Sequence, residues 1–323
     1  MFLIFGALTL KNITGIMVSL FAALILSGTG PVAAAEGAKI KIVTSVAPIT
    51  NIIKNVGGAN VEVTGIVPDG MDSHTFEPAP SDAKLLNQAD IIIINGLGLE
   101  TSTVKLADKV KKKSTPIVSL GDAAIPRSER VFEFGHINPH AWPNIALAMR
   151  YAEVARDALI KLDPTHRDSY IANTTTYLEK LRKLDVATFE CVKSIPEKNR
   201  KLVTYHDSFA YFAPRYGMKI IAAIQPSDFS EPSPREIIRI IEQLKKEKVP
   251  AIFGSEVFPS KVLEQIARET GVKFIDQLSD DELPAPPKNS FIGMMAVNLA
   301  VITEALGGQP TCVAAIDATN LLP

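Results

Sequence analysis

The sequence lacks any excess of charge and any low-complexity tract. Its 323 residues include 34 Lys and Arg against 35 Asp and Glu, a formal net charge of −1. Nucleic-acid-binding domains usually carry a clustered basic surface, so this balance gives no electrostatic reason to expect a nucleic-acid partner. With 46% apolar and 21% charged residues, the composition is that of a soluble globular protein long enough for two domains.

Cysteine is scarce as well, since only Cys191 and Cys312 are present. Neither lies near the metal-ligand candidates in sequence, so we leave both out of any metal site. In an exported protein the two can form a disulfide. Two buried free thiols are the alternative, and the sequence leaves both open.

The N-terminal segment has the pattern of an export signal. Lys11 precedes an apolar run from Ile13 to Leu26, and Ala33–Ala35 supply the small side chains that a signal peptidase accepts. A retained membrane anchor is the alternative, but the run is short of the about 20 residues that a membrane span needs. No cysteine follows the run, which argues against a lipid-anchored form. We expect a signal peptide over residues 1–35 and a soluble protein in the periplasm.

Downstream, short β-branched runs alternate with helical patterns. Interleaved strands and helices predict parallel sheets covered on both faces, and the alternation occurs twice. The sequence therefore predicts two α/β lobes. The predicted strands are Ile40–Thr44, Val61–Val67, Asp90–Asn95, Pro116–Ser119, Lys201–Tyr205, Met218–Ile224, Ala251–Gly254 and Val272–Ile275. The predicted helices are Ile49–Val56, Ser81–Asn87 with Ser81 as its cap, Ile145–Leu162, Pro234–Glu247, Ser260–Thr270 and Ile292–Leu306.

A long helical pattern without Pro or Gly separates the two alternating regions, from Thr165 to about Val192. A helix of that length would span about 40 Å, more than one lobe needs. We expect a rigid connector over residues 165–193, between an N-terminal lobe over 36–164 and a C-terminal lobe over 194–323.

Three of the five histidines and one aspartate form a candidate metal-binding set. His74 follows a predicted strand, His140 precedes a helix, and His206 and Asp276 directly follow strands. Ligands of open parallel sheets bind beyond the carboxyl ends of strands. Three imidazoles and a carboxylate suit Zn²⁺, and a set of nitrogen and oxygen ligands also accepts Mn²⁺ or Fe²⁺. A single histidine at a strand end is more often structural, so the hypothesis depends on the whole set.

The sequence also resembles a known family, the zinc- and manganese-binding receptors of bacterial ABC transporters (the TroA/ZnuA-like group). The matching motifs occur in order over nearly all of the chain from about residue 39 to 306. They are Asp72–Pro78 (DSHTFEP), Asn138–Trp142 (NPHAW), His206–Ala213 (HDSFAYFA), Glu231–Pro234 (EPSP), Ile252–Glu256 (IFGSE), Ile275–Ser279 (IDQLS) and Phe291–Met295 (FIGMM).

The resemblance implies two α/β lobes joined by one long helix, with the metal buried in the cleft between them. His74 and His140 would come from the first lobe, and His206 and Asp276 from the second. It further implies high-affinity extracytoplasmic binding of a divalent transition metal by a monomer. The metal would be delivered to the permease and ATPase of an ABC importer, and a periplasmic metallochaperone is a further candidate partner. Related manganese receptors often have Glu at the third position, so His206 favours zinc.

Two features leave the ligand set and the metal open. Asp280 and Asp281 compete with Asp276 for the fourth position. We prefer Asp276 because it directly follows a strand and precedes Gln277–Ser279 in the family pattern, whereas the other two suit a solvated loop. A His-rich acidic loop, present in many dedicated zinc receptors, is absent here, which keeps manganese as the alternative metal.

Other histidines and acidic residues are weaker candidates for a role at the site. His136 is a candidate contact for metal in transit, and His166 is expected to be solvated. Glu256, or with less support Glu77, could hydrogen-bond a ligating imidazole. Either could also be the base of an exported zinc hydrolase, but there is no His-Glu-x-x-His helix, and four protein ligands leave no position for an activated water. A receptor for an organic solute would leave the histidines unexplained. We therefore predict a receptor and not an enzyme.

Overall fold

The computed structural model describes Phe2 and residues 38–133, 135–225, 232–255 and 261–321. The predicted signal peptide lies outside these ranges except for Phe2. Within the described ranges, none of the helices combines the length and the apolar character needed to cross a membrane.

Strands and helices alternate along most of the chain. The strands are β1 Ile40–Thr44, β2 Val61–Gly65, β3 Ile91–Ile94, β4 Ile117–Ser119, β5 Phe132–Glu133, β6 His136–Ile137, β7 Lys201–His206, β8 Lys219–Gln225, β9 Ala251–Ser255 and β10 Lys273–Leu278. The helices are α1 Ala47–Gly57, α2 Pro80–Gln88, α3 Thr101–Val110, α4 Leu120–Ala124, α5 Ile145–Leu162, α6 Arg167–Ser194, α7 Phe212–Tyr216, α8 Pro234–Glu247, α9 Lys261–Thr270 and α10 Phe291–Ala305.

Two four-stranded parallel sheets organise the chain, with strand orders β2-β1-β3-β4 and β10-β9-β7-β8. Reversing the second order gives β8-β7-β9-β10, so both sheets place their strands in the chain order second, first, third, fourth. In each sheet the first and third strands are neighbours, and successive strands are added on opposite sides of this pair. Ligands of open α/β sheets bind at this switch point, beyond the carboxyl ends of the strands. The predicted pair of parallel α/β lobes is confirmed.

The connector is α6, whose 28 residues correspond to about 42 Å of helix. It packs against α1, α5 and α10, and one buried apolar cluster runs from the first sheet across α6 to the second. Cys191 on α6 forms a disulfide with Cys312 in the 3₁₀ turn Pro310–Val313, which settles the question that the sequence left open. The residue bounds of the two lobes stay a prediction.

Some local predictions were wrong. Helix α2 begins at Pro80 with Ala79 at its cap, where the Asp82 carboxylate accepts a hydrogen bond from the Ala79 backbone N–H, so Ser81 is not the cap. Helix α3 and the β5–β6 hairpin were not predicted. The two strands of the hairpin have two residues each, too few for a periodic pattern, and α3 buries only Thr103 and Ala107.

Candidate metal centre

The three candidate histidines converge on one point. His74 lies in the loop after β2, where its backbone N–H donates to Asp72 Oδ1 at 2.9 Å; His140 precedes α5, and His206 is the last residue of β7. The Nε2 atom of His140 lies 2.9 Å from that of His74 and 2.8 Å from that of His206. One nitrogen from each ring lies within 4.8 Å of the others. The structure therefore brings together three of the four residues that the sequence singles out, and their role as metal ligands stays a prediction.

A neighbouring amide fixes the ring of His140. The Asn138 Oδ1 atom lies 3.1 Å from His140 Nδ1 and accepts a hydrogen bond from the His140 backbone N–H at 2.9 Å. The Asn138 Nδ2 group donates to the carbonyl oxygen of Asp207 at 2.8 Å, which sets the orientation of the amide. His140 Nδ1 therefore carries the proton, and the lone pair of Nε2 faces the other two histidines. Sequence reasoning missed this role, although Asn138 opens the Asn138–Trp142 motif.

Burial keeps the imidazoles of His74 and His140 neutral. Removal from water lowers the pKa of His140 well below its ordinary value, and the charges of His206 and His74 lower it further. Burial, followed by the charge of His206, also lowers the pKa of His74. Three imidazolium rings at these distances would repel one another, whereas neutral rings present lone pairs. The cluster is thus suited to bind a cation and not to bind protons.

One aromatic side chain packs against the cluster. Trp142 is fully buried with its ring centroid 5.1 Å from that of His140, and Phe209 is buried beside His206 in the chain. The Trp142 indole N–H donates to the backbone oxygen of Asp280 at 3.0 Å. This hydrogen bond joins the segment before α5 to the loop after β10. Trp142 therefore covers one side of the cluster.

The structure does not bring the predicted fourth ligand to the histidines. Asp276 lies within β10, not beyond its end, and its side chain is exposed beside Gly254 of the neighbouring strand. Asp280 and Asp281 are buried, with 3% and 8% of their surfaces exposed, so placing them in a solvated loop was wrong. Ser255, the last residue of β9, donates to Asp280 Oδ1 at 3.1 Å. Among the described residues, no carboxylate lies within the histidine group.

The remaining candidates lie elsewhere. His136 is exposed in β6 and is not part of the group. The His166 Nδ1 atom contacts Asp163 Oδ2 at 2.6 Å beside the start of α6. Glu77 accepts a hydrogen bond from Ser102 Oγ at 2.7 Å and is exposed. Glu256 lies outside the described residues.

The geometry fits a four-coordinate ion after a small adjustment. Zn–N bonds of about 2.0–2.1 Å in a tetrahedral site place two ligand nitrogens roughly 3.3 Å apart. The observed Nε2 separations of 2.8 and 2.9 Å are slightly shorter, so the rings need to separate by about half an ångström to admit the ion. His74 follows a strand of the first sheet and His206 ends a strand of the second, so an ion bound between them would join the two lobes.

Residues 42–305 match the model of the ZnuA family, described as the periplasmic component A of a zinc-uptake complex. The chain belongs to the ZnuA/TroA family of metal ABC transporter substrate-binding proteins. Members of this family are solute-binding receptors. The match spans both lobes and the connector, and it confirms the resemblance seen in the ordered motifs.

Similar ZnuA/TroA-family proteins carry different metals in their names. A manganese ABC transporter substrate-binding lipoprotein of Streptococcus anginosus is 33% identical over 293 residues, 88% of this chain and 94% of that protein. An iron-binding protein of Yersinia pestis is 31% identical over 267 residues, 81% of this chain and 86% of that protein. The structure of the periplasmic zinc-binding protein TroA of Treponema pallidum superposes with a TM-score of 0.78 at 28% identity, covering 83% of this chain and 99% of that one.

Proposed function

We propose that this protein binds one zinc ion with high affinity outside the cytoplasm and delivers it to an ABC importer. The observation that carries this proposal is the convergence of the Nε2 atoms of His74, His140 and His206 in a site shielded by Trp142. The pKa values of His74 and His140 are lowered, so these rings are neutral at the pH at which a receptor must capture its cargo. Such rings bind a borderline-soft cation without first losing protons.

The choice of zinc rests on the ligand type. Three imidazoles with one carboxylate suit tetrahedral Zn²⁺, whereas Mn²⁺ prefers sites richer in carboxylate, carbonyl and water oxygens. The named metals of the relatives include manganese and iron as well as zinc, so Mn²⁺ and Fe²⁺ are the alternative cargoes. Buried imidazole nitrogens bind these two more weakly, in keeping with the order of divalent-metal affinities.

For the fourth ligand we propose Asp280 in place of Asp276. Asp280 is buried, its backbone oxygen is bonded to Trp142, and its carboxylate accepts from Ser255 at the switch point of the second sheet. Asp276 is exposed on β10, where a carboxylate would remain hydrated. The Asp280 side chain would have to swing toward the histidines as the ion enters, since it lies outside the present group.

Delivery follows from the family. Relatives are named as substrate-binding components of metal ABC transporters, so the partners proposed here are the permease and ATPase of such a transporter. We further propose a periplasmic monomer released by cleavage after residue 35, supplied with metal directly or by a metallochaperone. No catalytic role is proposed, because four protein ligands leave no position on the ion for an activated water.

Metal analysis of the purified protein tests this function. We expect one zinc ion per chain after dialysis against zinc, and competition by calorimetry should rank zinc above manganese. The alternative zinc hydrolase would retain an exchangeable water on the ion, which cobalt substitution would reveal as a five-coordinate spectrum. A protein that retains no zinc after dialysis would contradict the proposal, and tighter binding of manganese would reassign the cargo.

A further inference from the structure

A second buried amide reaches the metal-site loop from the first sheet. Asn95 follows β3 and is completely buried. Its Nδ2 group donates at 3.0 Å to the backbone oxygens of Gly96 and Pro139, the residue immediately before His140. Both of these partners can only accept, so the orientation of the Asn95 amide is fixed. The carbonyl of Pro139 thus has a donor from a different element of the fold.

The other polar groups of Asn95 are also used. Its Oδ1 accepts from the Tyr151 hydroxyl of α5 at 2.9 Å, and its backbone oxygen accepts from the Gly121 N–H at 2.8 Å. Its backbone N–H donates to Glu100 Oε1 at 2.8 Å, while the Gly96 N–H donates to Glu100 Oε2 at 2.9 Å. A side chain held by this many partners has one position, so it can set the position of what it holds.

The hydrogen-bond network of Asn95 and Glu100 reaches the segment that carries His140. Glu100 accepts from the two backbone N–H groups directly after β3, where β3 lies beside β1 in the sheet. That is the switch point of the first sheet. Asn95 extends from there to the peptide that carries His140. Asn138 orients the ring of His140. Asn95 holds the carbonyl of Pro139, the residue between Asn138 and His140.

We propose that Asn95 is a positioning residue for metal binding: by holding the Pro139 carbonyl, it fixes the place of His140 Nε2 relative to His74 and His206. Substituting a residue that hydrogen-bonds a metal ligand typically lowers metal affinity about 10- to 100-fold. Asn95 acts one bond further away, through the backbone, so its effect should lie at the lower end of that range. This inference rests on the proposed function, because it takes His140 as a ligand.

The test uses the full-length mature protein with Asn95→Asp. This change keeps the size of the side chain and an oxygen for Tyr151, but it places a carboxylate oxygen against the Pro139 carbonyl. We expect zinc affinity to fall about 10-fold. We also expect the visible absorption of the Co²⁺-loaded protein to shift, because the ligand geometry changes. Asn95→Ala removes the donor without adding charge, and it serves the same comparison if the aspartate variant does not fold.

Tyr170→Phe is the matched control. It removes a buried tyrosine hydroxyl that donates to Asp163 at 2.7 Å, away from any ligand, and should lower stability without moving the Co²⁺ spectrum or the zinc affinity. If the Asn95 variants are destabilised like the control yet keep the wild-type affinity and spectrum, Asn95 is only structural and the proposal is wrong. A wild-type chain that binds no zinc would instead overturn the proposed function, and this inference with it.

Discussion

The Nε2 atom of His206, at the end of β7, lies 2.8 Å from the Nε2 atom of His140, which precedes α5. The two residues belong to different lobes, and each sits where its own lobe presents side chains to the cleft. Neither lobe alone can therefore form the site. If a metal binds here as proposed, its binding would be coupled to the mutual position of the lobes, because the ion would favour the arrangement that brings these nitrogens together.

His140→Ala should reduce zinc affinity by at least about 100-fold, because it removes the nitrogen that lies between the other two. His166→Ala is the matched control, since it deletes an imidazole that contacts Asp163 outside the cluster. That variant should bind zinc with wild-type affinity. Calorimetric titration of both proteins measures the difference, and equal losses would show that the cluster has been assigned wrongly.

The fourth ligand can be identified by two neighbouring substitutions. Asp280→Asn should lower zinc affinity about 10- to 100-fold, because an amide oxygen is a weaker ligand than a carboxylate. Asp276→Asn alters an exposed side chain on β10 and should change affinity less than about twofold. A large effect at Asp276 together with none at Asp280 would restore the assignment made from sequence.

These two aspartates show where sequence reasoning stops. The strand periodicity located β10 to within about three residues, and a ligand was then sought directly after the predicted end. The strand continues to Leu278, so its carboxyl end lies near Asp280 and not near Asp276. Strand ends are set by pairing with neighbours, here with β9, which one sequence does not display. The candidate named from the sequence lies on this exposed strand, and the one proposed from the structure lies in the buried loop that follows it.

The histidines were predictable for the opposite reason. His206 closes a buried strand, and His74 and His140 lie within motifs whose order along the chain is specific. Asn138 and Asn95 could not be found in the same way. Each acts through hydrogen bonds to backbone atoms of residues distant in sequence, 69 positions away for Asp207 and 44 for Pro139. Such partners appear only when the fold brings them together.

Glu100 should make stability fall as the pH rises. Burial raises the pKa of its carboxyl from 4.5 to about 7 in the folded protein. Between these values the folded state keeps a proton that the unfolded chain releases, so the stability present at low pH is lost as the pH approaches and passes 7. Glu100→Gln cannot ionise and lacks this dependence.

The comparison of these two proteins isolates the effect. The unfolding free energy of the wild type, relative to Glu100→Gln, should fall by about 2 kcal/mol between pH 5 and pH 8. Urea denaturation of both metal-free proteins at each pH gives this difference, and the contributions of His74 and His140, which titrate in both, cancel. A difference that stays constant with pH would mean that Glu100 is ionised throughout.

The disulfide between Cys191 and Cys312 should stabilise the fold without tuning the metal site. It closes a loop with a sequence separation of 121 and ties the last part of α6 to the C-terminal turn, neither of which carries a candidate ligand. In the chain-entropy view, a loop of that length constrains the unfolded state by roughly 5 kcal/mol. The double variant Cys191→Ser, Cys312→Ser should therefore lose about 3–5 kcal/mol of unfolding free energy.

Zinc affinity is the deciding second measurement for that variant. The proposed ligands lie on loops of the first lobe, on β7 and in the loop after β10, all away from the disulfide in the chain. Zinc affinity should therefore stay within about twofold of the wild type when measured well below the unfolding midpoint. Reducing the wild-type protein with a thiol should reproduce both results. If affinity instead fell together with stability, the C-terminal turn would be coupled to the lobe arrangement, and α6 would be transmitting that coupling rather than serving as a rigid connector.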